Sequence, residues 1–299
     1  MTIRAGAPVV VGVDGSQSSL DAVTVAAVEA ALRRRSLRIV HAYTWPPVGV
    51  GLAPETAPAA LDACRSQAEE IVKAAGAVAG KAAPDVVTTA EIMRGPAVPA
   101  LVAESEKADL LVVGDRGAGG FPGLTVGSVA VQSATRSACP VLIARAAHRP
   151  GGEIVVGVDG SPNSALALEF AVEEASLRGV GLVALHAWNG NSRTELNADL
   201  PMTYEFWSGE AEEKRVLAEA LAGVADRYPD VRIRRCVMRG SPRRLLVDQS
   251  LTAQLVVVGD RGHGVFTGPL LGSVSQYLIH RASCPIAVVR PGMVAAVSG

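Results

Sequence analysis

Val10-Val11-Gly12-Val13-Asp14-Gly15-Ser16 returns as Val155-Val156-Gly157-Val158-Asp159-Gly160-Ser161, an offset of 145 residues. The run Val9 to Val13 is apolar without alternation, the pattern of a strand buried on both faces of a helix-covered parallel sheet. Ser16 then stands where a helix N-cap belongs. Leu20, Val23, Ala27, Ala30 and Ala31 follow as an apolar stripe at helical spacing, up to Arg33-Arg34-Arg35, whose charges suit the negative end of a helix. The same offset carries His41-Ala42 to His186-Ala187, Arg94-Gly95 to Arg239-Gly240, and Cys139-Pro140 to Cys284-Pro285. One offset serves every landmark, so the chain is a duplicated unit. His148-Arg149-Pro150-Gly151-Gly152 reads as the linker, since Pro interrupts helices and ladders and Gly permits a turn. The expected domains are 1–147 and 152–299, and 299 residues suit two cores better than one.

Within the first half, strands are expected at Val9–Val13, Leu37–Tyr43, Val86–Met93, Leu110–Val113 and Val141–Ala144. Helices are expected after Ser16, near Leu61–Gly80, over Ala97–Ser105 and over Val126–Arg136. Strict alternation of strand and helix gives an α/β fold, in which right-handed crossovers build a doubly wound parallel-sheet sandwich in each half. A ligand in such a sheet sits beyond the carboxyl ends of the strands where the winding reverses, so the tips at Asp14 and Gly114 are the place to look.

Composition narrows the function. A formal charge of −1 offers no general attraction to nucleic acid or acidic membrane. The N-terminal Val run is too short for a signal segment or a spanning helix, which leads us to expect a cytoplasmic protein without membrane insertion. The four cysteines form no C-x-x-C pair, and Cys139 and Cys284 each open an apolar run, as buried structural thiols do. We expect no metal site and no catalytic residue.

Two loops carry the chemistry. Gly114-Asp115-Arg116-Gly117 is followed, nine residues on, by Gly127-Ser128-Val129, and Gly259-Asp260-Arg261-Gly262 by Gly272-Ser273-Val274 at the same spacing. Glycine lets backbone amides approach a ligand and permits positive φ. A helix start at Gly127 and Gly272 adds unpaired N–H donors and a partial positive charge, which suits phosphate. No Gly-Lys-Ser/Thr follows, so this is not a Walker loop, and no G-x-G-x-x-G follows the first strand, which disfavours a dinucleotide. Asp14 and Asp159 can accept hydrogen bonds from an adenine amino group or a ribose hydroxyl, or can simply shape the D-G-S turn. Ala42 and Ala187 end the second strands with little side chain to obstruct a base. Arg116 and Arg261 can pair with phosphate or face water. His263, where the first loop has Ala118, can touch phosphate in the second half only. His41 and His186 read as core-flanking histidines with no carboxylate close in sequence to orient them.

In these residues the chain resembles the universal stress protein family in its tandem-domain, actinobacterial form. The resemblance rests on V-G-V-D-G-S, on G-x2-G-x9-G-S in both halves and on the C-P strand entry, and it covers both halves. It implies a Rossmann-like, adenine nucleotide α-hydrolase-like sheet of order 3-2-1-4-5, ATP with or without Mg2+, a homodimer, unidentified protein partners, and roles in stress, hypoxia or growth arrest. It places ligand contacts at Gly12, Val13, Asp14, Ala42, Val113, Gly114, Arg116, Gly117, Gly127, Ser128 and Val129. The second-half set is Gly157, Val158, Asp159, Ala187, Val258, Gly259, Arg261, Gly262, His263, Gly272, Ser273 and Val274. The expected function is a nucleotide-dependent regulator holding one adenine nucleotide per domain. The alternatives are a slow ATPase and a module for cyclic AMP or AMP.

Overall fold

The computed structural model describes residues 6–45, 57–119, 126–145, 149, 151–188, 202–263 and 270–291, with side chains 202–209 excepted. The chain divides between its fifth and sixth strands into two compact units. The first alternates β1 (Val9–Val13), α1 (Gln17–Arg33), β2 (Leu37–Tyr43), α2 (Ala57–Ala82), β3 (Thr88–Arg94), α3 (Ala97–Ser105), β4 (Leu110–Gly114), α4 (Ser128–Arg136) and β5 (Val141–Ala144). The second runs β6 (Ile154–Gly157), α5 (Pro162–Arg178), β7 (Leu182–Trp188), α6 (Met202–Ala220), α7 (Val224–Arg227), β8 (Ile233–Arg239), α8 (Pro242–Ser250), β9 (Leu255–Gly259), α9 (Ser273–Arg281) and β10 (Ile286–Val289).

All strand pairs within each unit are parallel, in the order β3-β2-β1-β4-β5 and β8-β7-β6-β9-β10. Both units therefore have the doubly wound 3-2-1-4-5 arrangement, and the winding reverses between β1 and β4 and between β6 and β9. The central strands are dry on both faces: Val9, Val10, Val11, Leu110, Leu111 and Val112 are fully buried, as are Ile154, Val156, Val256 and Val257. Each such side chain contributes about 1.5–3 kcal/mol on leaving water. Ala22, Ala26, Ala27 and Ala30 bring α1 close against this surface without a long side chain between. Cys139 and Cys284 are buried, as a structural thiol requires.

Where element ends differ from expectation, the reasons are local. α4 begins at Ser128, because Gly127 is extended at φ −74° and ψ 150° and acts as the N-cap. β3 begins at Thr88, although the Val87 carbonyl already accepts from the Leu37 amide at 2.9 Å. Ser16 and Ser161 cap α1 and α5 by accepting from Ser19 N and Ser164 N, both at 3.2 Å. At the other end both helices close with a left-handed residue, Arg34 at φ 53° in α1 and Gly179 at φ 64° in α5. A Cβ is disfavoured in that conformation, so Arg34→Gly is expected to stabilise the first unit by about 0.5–1 kcal/mol, readable as a higher melting temperature. Arg33 does not merely complement the helix end as expected; it turns inward to Glu29 and Asp109.

Candidate functional site

The D-G-S turn after β1 is built around the Asp14 carboxylate. Its Oδ1 accepts from Ser16 N at 3.0 Å and Ser16 Oγ at 2.6 Å, while Oδ2 accepts from Ala118 N at 2.7 Å. Gly15, at φ 83°, turns the chain back. Asp14 thus ties the glycine loop that follows β4 across the crevice between β1 and β4. Ser18 adds a second tie, donating from Oγ to Asp115 Oδ1 at 2.8 Å and accepting from Arg116 N at 3.2 Å. Asp14 was singled out in sequence as a ligand contact, but its loop-holding role was not legible, because its partner lies 104 residues away.

Burial by itself would raise the Asp14 carboxyl, yet the Ser16 side chain, the Ala118 and Ser16 backbone amides and the Ser19 side chain together pull it below its ordinary value of 3.8. A depressed acid contributes its stabilisation above the unfolded value and loses it as pH falls through the folded one. The tie is therefore expected to persist through mildly acidic pH and to open only below the ordinary carboxylate range. An NMR titration of the Asp14 carboxyl carbon with a midpoint at or above 3.8 would contradict this.

Gly114 and Gly117 are needed for space rather than for φ. Gly117 and Gly127 are not among the residues of positive φ. A Cβ on Gly117 would lie 2.6 Å from Asp14 Oδ2, and one on Gly114 would lie 2.7 Å from the Ser18 carbonyl oxygen. Gly127 donates its N–H to the Asp115 carbonyl at 2.7 Å and leads into α4, whose first turn has no side-chain cap.

These elements enclose a cavity of about 660 Å³ in the first unit, within the usual range for small-molecule sites. Its walls include every first-half residue the sequence singled out: Gly12, Val13, Asp14, Ala42, Val113, Gly114, Arg116, Gly117, Gly127, Ser128 and Val129. Sequence reasoning missed Ser19, Val40, Ala97, Leu101, Gly119, Val126 and Ala130, which also line it. Val40 and Leu101 read locally as core, and only the packing of β2 and α3 brings them to the crevice. One side is thus apolar, from β1, β2 and α3, and the other is main chain, from the glycine loop and the start of α4.

The second unit repeats the ties. Asp159 accepts from Ser161 N at 3.0 Å, Ser161 Oγ at 2.6 Å and His263 N at 3.2 Å, and a Cβ on Gly262 would collide with its Oδ2. Its described cavity, about 520 Å³, is nevertheless a different one, between the start of α5, the tip of β7 and α6. Asp159 and His263 line it, with His186, Glu212, Glu213 and Glu219; Gly157, Val158, Ala187, Val258, Gly259, Arg261, Gly262, Gly272, Ser273 and Val274 do not.

The paired histidines flank the core as expected, and His186 gains a partner that is distant in sequence. Both rings place Nδ1 on a strand carbonyl, His41 on Val13 O at 2.8 Å and His186 on Val158 O at 2.7 Å. His186 Nε2 also meets Glu213 Oε2 at 2.7 Å, so it does have a carboxylate, 27 residues on and delivered by α6. A carbonyl can only accept, so each ring donates from Nδ1. The residue 145 positions before Glu213 is Ala68, which offers His41 no such partner.

Among the described residues, no helix is long and apolar enough to cross a membrane, and no group of three or more His, Cys, Asp or Glu side chains is arranged to hold a metal ion. The pattern of the Universal stress protein family matches residues 7–145 and again 152–290. Universal stress protein Rv2623 of Mycobacterium tuberculosis is 39% identical over 295 residues, covering 95% of this chain and 97% of its own. Universal stress protein Rv2005c of the same species is 39% identical over 296 residues, covering 94% and 96%. A crystal structure of a universal stress protein from Archaeoglobus fulgidus matches 96% of this chain and 100% of its own at a TM-score of 0.69 and 18% identity, a likeness of fold alone. With its repeated sheet, its repeated glycine loops and this match over both halves, the chain belongs to the universal stress protein family, as a tandem of two of its domains.

Proposed function

We propose that the cavity of the first unit binds an adenine nucleotide, ATP foremost, and that the chain works as a nucleotide-dependent regulator in the stress response. One observation carries this reading: a single cavity joins an apolar slot to an uncapped helix start and a glycine loop. Val13, Val40 and Leu101 suit the faces of a purine, and the main chain at Ala42 offers hydrogen-bonding groups to its edge. Gly127, Ser128 and Val129 open α4, where main-chain N–H groups and the helix dipole favour phosphate oxygens. Arg116, with a side chain 68% exposed, stands at the mouth as a cation for the outer phosphates.

Regulation is favoured over hydrolysis by what lines the cavity. Among its described lining residues there is no lysine and no histidine, and the carboxylate they include, Asp14, already accepts from the protein on both oxygens. Such a site retains ATP better than it activates water against it. The test is native mass spectrometry of freshly purified chain, followed by calorimetric titration with ATP, AMP and cyclic AMP and a Mg2+-dependent turnover assay. Stoichiometric ATP that outlasts the assay supports the regulator; no binding of any of the three nucleotides overturns the proposal.

A further inference from the structure

We infer that the outer edge of the second unit, strand β8 with the start of α8, docks an acidic, extended segment of a partner protein. Residues 232–244 hold six arginines and no acid: Arg232, Arg234, Arg235, Arg239, Arg243 and Arg244. All six are exposed. The residues 145 positions earlier are Val87, Thr89, Ala90, Arg94, Val98 and Pro99, so the first unit keeps one arginine of the six. The formal charge of the whole chain is −1, and the surplus is therefore local. A cluster of one sign attracts a partner of the other over a Debye length of about 10 Å and fixes its orientation.

Half of these cations are not engaged by the protein itself. Among the described residues, Arg232, Arg235 and Arg244 have no acid as partner. Arg234 lies 2.8 Å from Glu153 Oε2, but that pair is open to water on both sides. Two further arginines are held by aromatic rings. The Arg239 guanidinium stands 5.9 Å from the centroid of the Trp188 ring, and that of Arg243 5.4 Å from the centroid of the Tyr277 ring. A guanidinium over a ring keeps its charge and its forked N–H groups with fewer rotamers open to it, so less freedom is lost when it meets a carboxylate.

The strand offers main chain as well as charge. β8 ends the strand order of its unit and, among the described residues, pairs with β7 alone, which leaves its outer row of N–H and C=O groups without a ladder partner. Successive side chains of a strand point to opposite faces, so Arg234 and Arg235 flank that edge on either side. A strand laid along the seven residues of β8 would meet a cation on each face over about 20 Å. Charged edges also keep sheets from pairing with one another. That role does not account for Arg243 and Arg244, which belong to a helix, and β3 does without it, holding Thr88, Thr89 and Ala90 in the same place. Outside the cluster, residues 152–291 carry eight Lys or Arg against sixteen Asp or Glu, which repels a polyanion longer than the patch, such as nucleic acid.

The experiment is fluorescence anisotropy of the full chain with three labelled probes: a peptide of about ten residues alternating Glu and Thr, its Lys and Thr counterpart, and a single-stranded RNA of similar length. The acidic peptide is expected to bind at least tenfold tighter than either of the others and to weaken as salt is raised. Hydrogen exchange should show the amides of β8 better protected with the acidic peptide present and those of β3 unchanged. The triple variant Arg234→Thr, Arg235→Ala, Arg243→Val brings in the residues that the first unit has at these positions. It is expected to bind the acidic peptide at least tenfold more weakly, with a circular dichroism melt checking its fold; the exchange result on the unaltered chain decides even if it does not fold. RNA bound tighter than the acidic peptide assigns the patch to nucleic acid and overturns the proposal. So does an acidic peptide that fails to bind, that binds the triple variant equally well, or that leaves exchange in β8 unchanged.

Discussion

Arg33→Met is expected to destabilise the first unit by about 3–5 kcal/mol, the cost of leaving buried charge without its partner. Arg33 Nε lies 3.4 Å from Glu29 Oε2 and Nη1 lies 3.0 Å from Asp109 Oδ2, and the three side chains are 3%, 1% and 5% exposed. Methionine fills much of the same volume but removes the positive charge that Glu29 and Asp109 share away from water. The second unit supplies an internal control. There Arg178 pairs with Glu174 at 2.8 Å and donates from Nη1 to Gln254 Oε1 at 3.2 Å, so a neutral amide stands where the first unit has Asp109. Arg178→Met removes a pairing with one carboxylate rather than two and is expected to cost less. The double variant Arg33→Met, Asp109→Gln also removes the charge of the second acid and should recover part of the loss. Hydrogen exchange read by mass spectrometry assigns each loss to its own unit, which a single melting curve of a two-unit chain does not. Equal protection of β1 and β4 in Arg33→Met and in the unaltered chain would refute the assignment.

Gly117→Ala is expected to weaken ATP binding at the first unit at least tenfold. The new Cβ would sit 2.6 Å from Asp14 Oδ2, so either the loop withdraws or the carboxylate releases the Ala118 N–H. A hydrogen bond to a charged acceptor is worth about 1.5–3 kcal/mol. A tenfold change in affinity corresponds to about 1.4 kcal/mol, so loss of this one tie is sufficient. The loop then no longer holds its amides beside the start of α4. Gly262→Ala makes the equivalent collision with Asp159 and should loosen residues 259–263 in hydrogen exchange while leaving ATP affinity at the first unit unchanged. Calorimetry of the two variants side by side is the check, and an affinity unaltered by Gly117→Ala removes the tie from the binding argument.

The two units show how far duplication preserves a device and where it departs. Ser16 and Ser161 cap, Asp14 and Asp159 tie, and Gly15 and Gly160 turn at φ 83°, all with partners at equivalent positions. Departure is concentrated in what faces open space, where α6 presents carboxylates and α2 presents alanines and glutamine.

The amino-acid sequence by itself determined the parallel strands, their helices, the duplication and the glycine loops. Burial on both faces leaves an unbroken apolar run such as Val9–Val13, a cap such as Ser16 acts within three residues, and a repeat copies both signals at one offset. Only the tertiary structure decided which groups meet. Arg33 finds Asp109 across 76 residues, Asp14 finds Ala118 across 104, and His186 finds Glu213 across 27, and no local period records such partners. The same holds for the cavity walls: Val40 and Leu101 carry the pattern of core residues, and become ligand-facing because β2 and α3 end beside the point where the sheet reverses its winding.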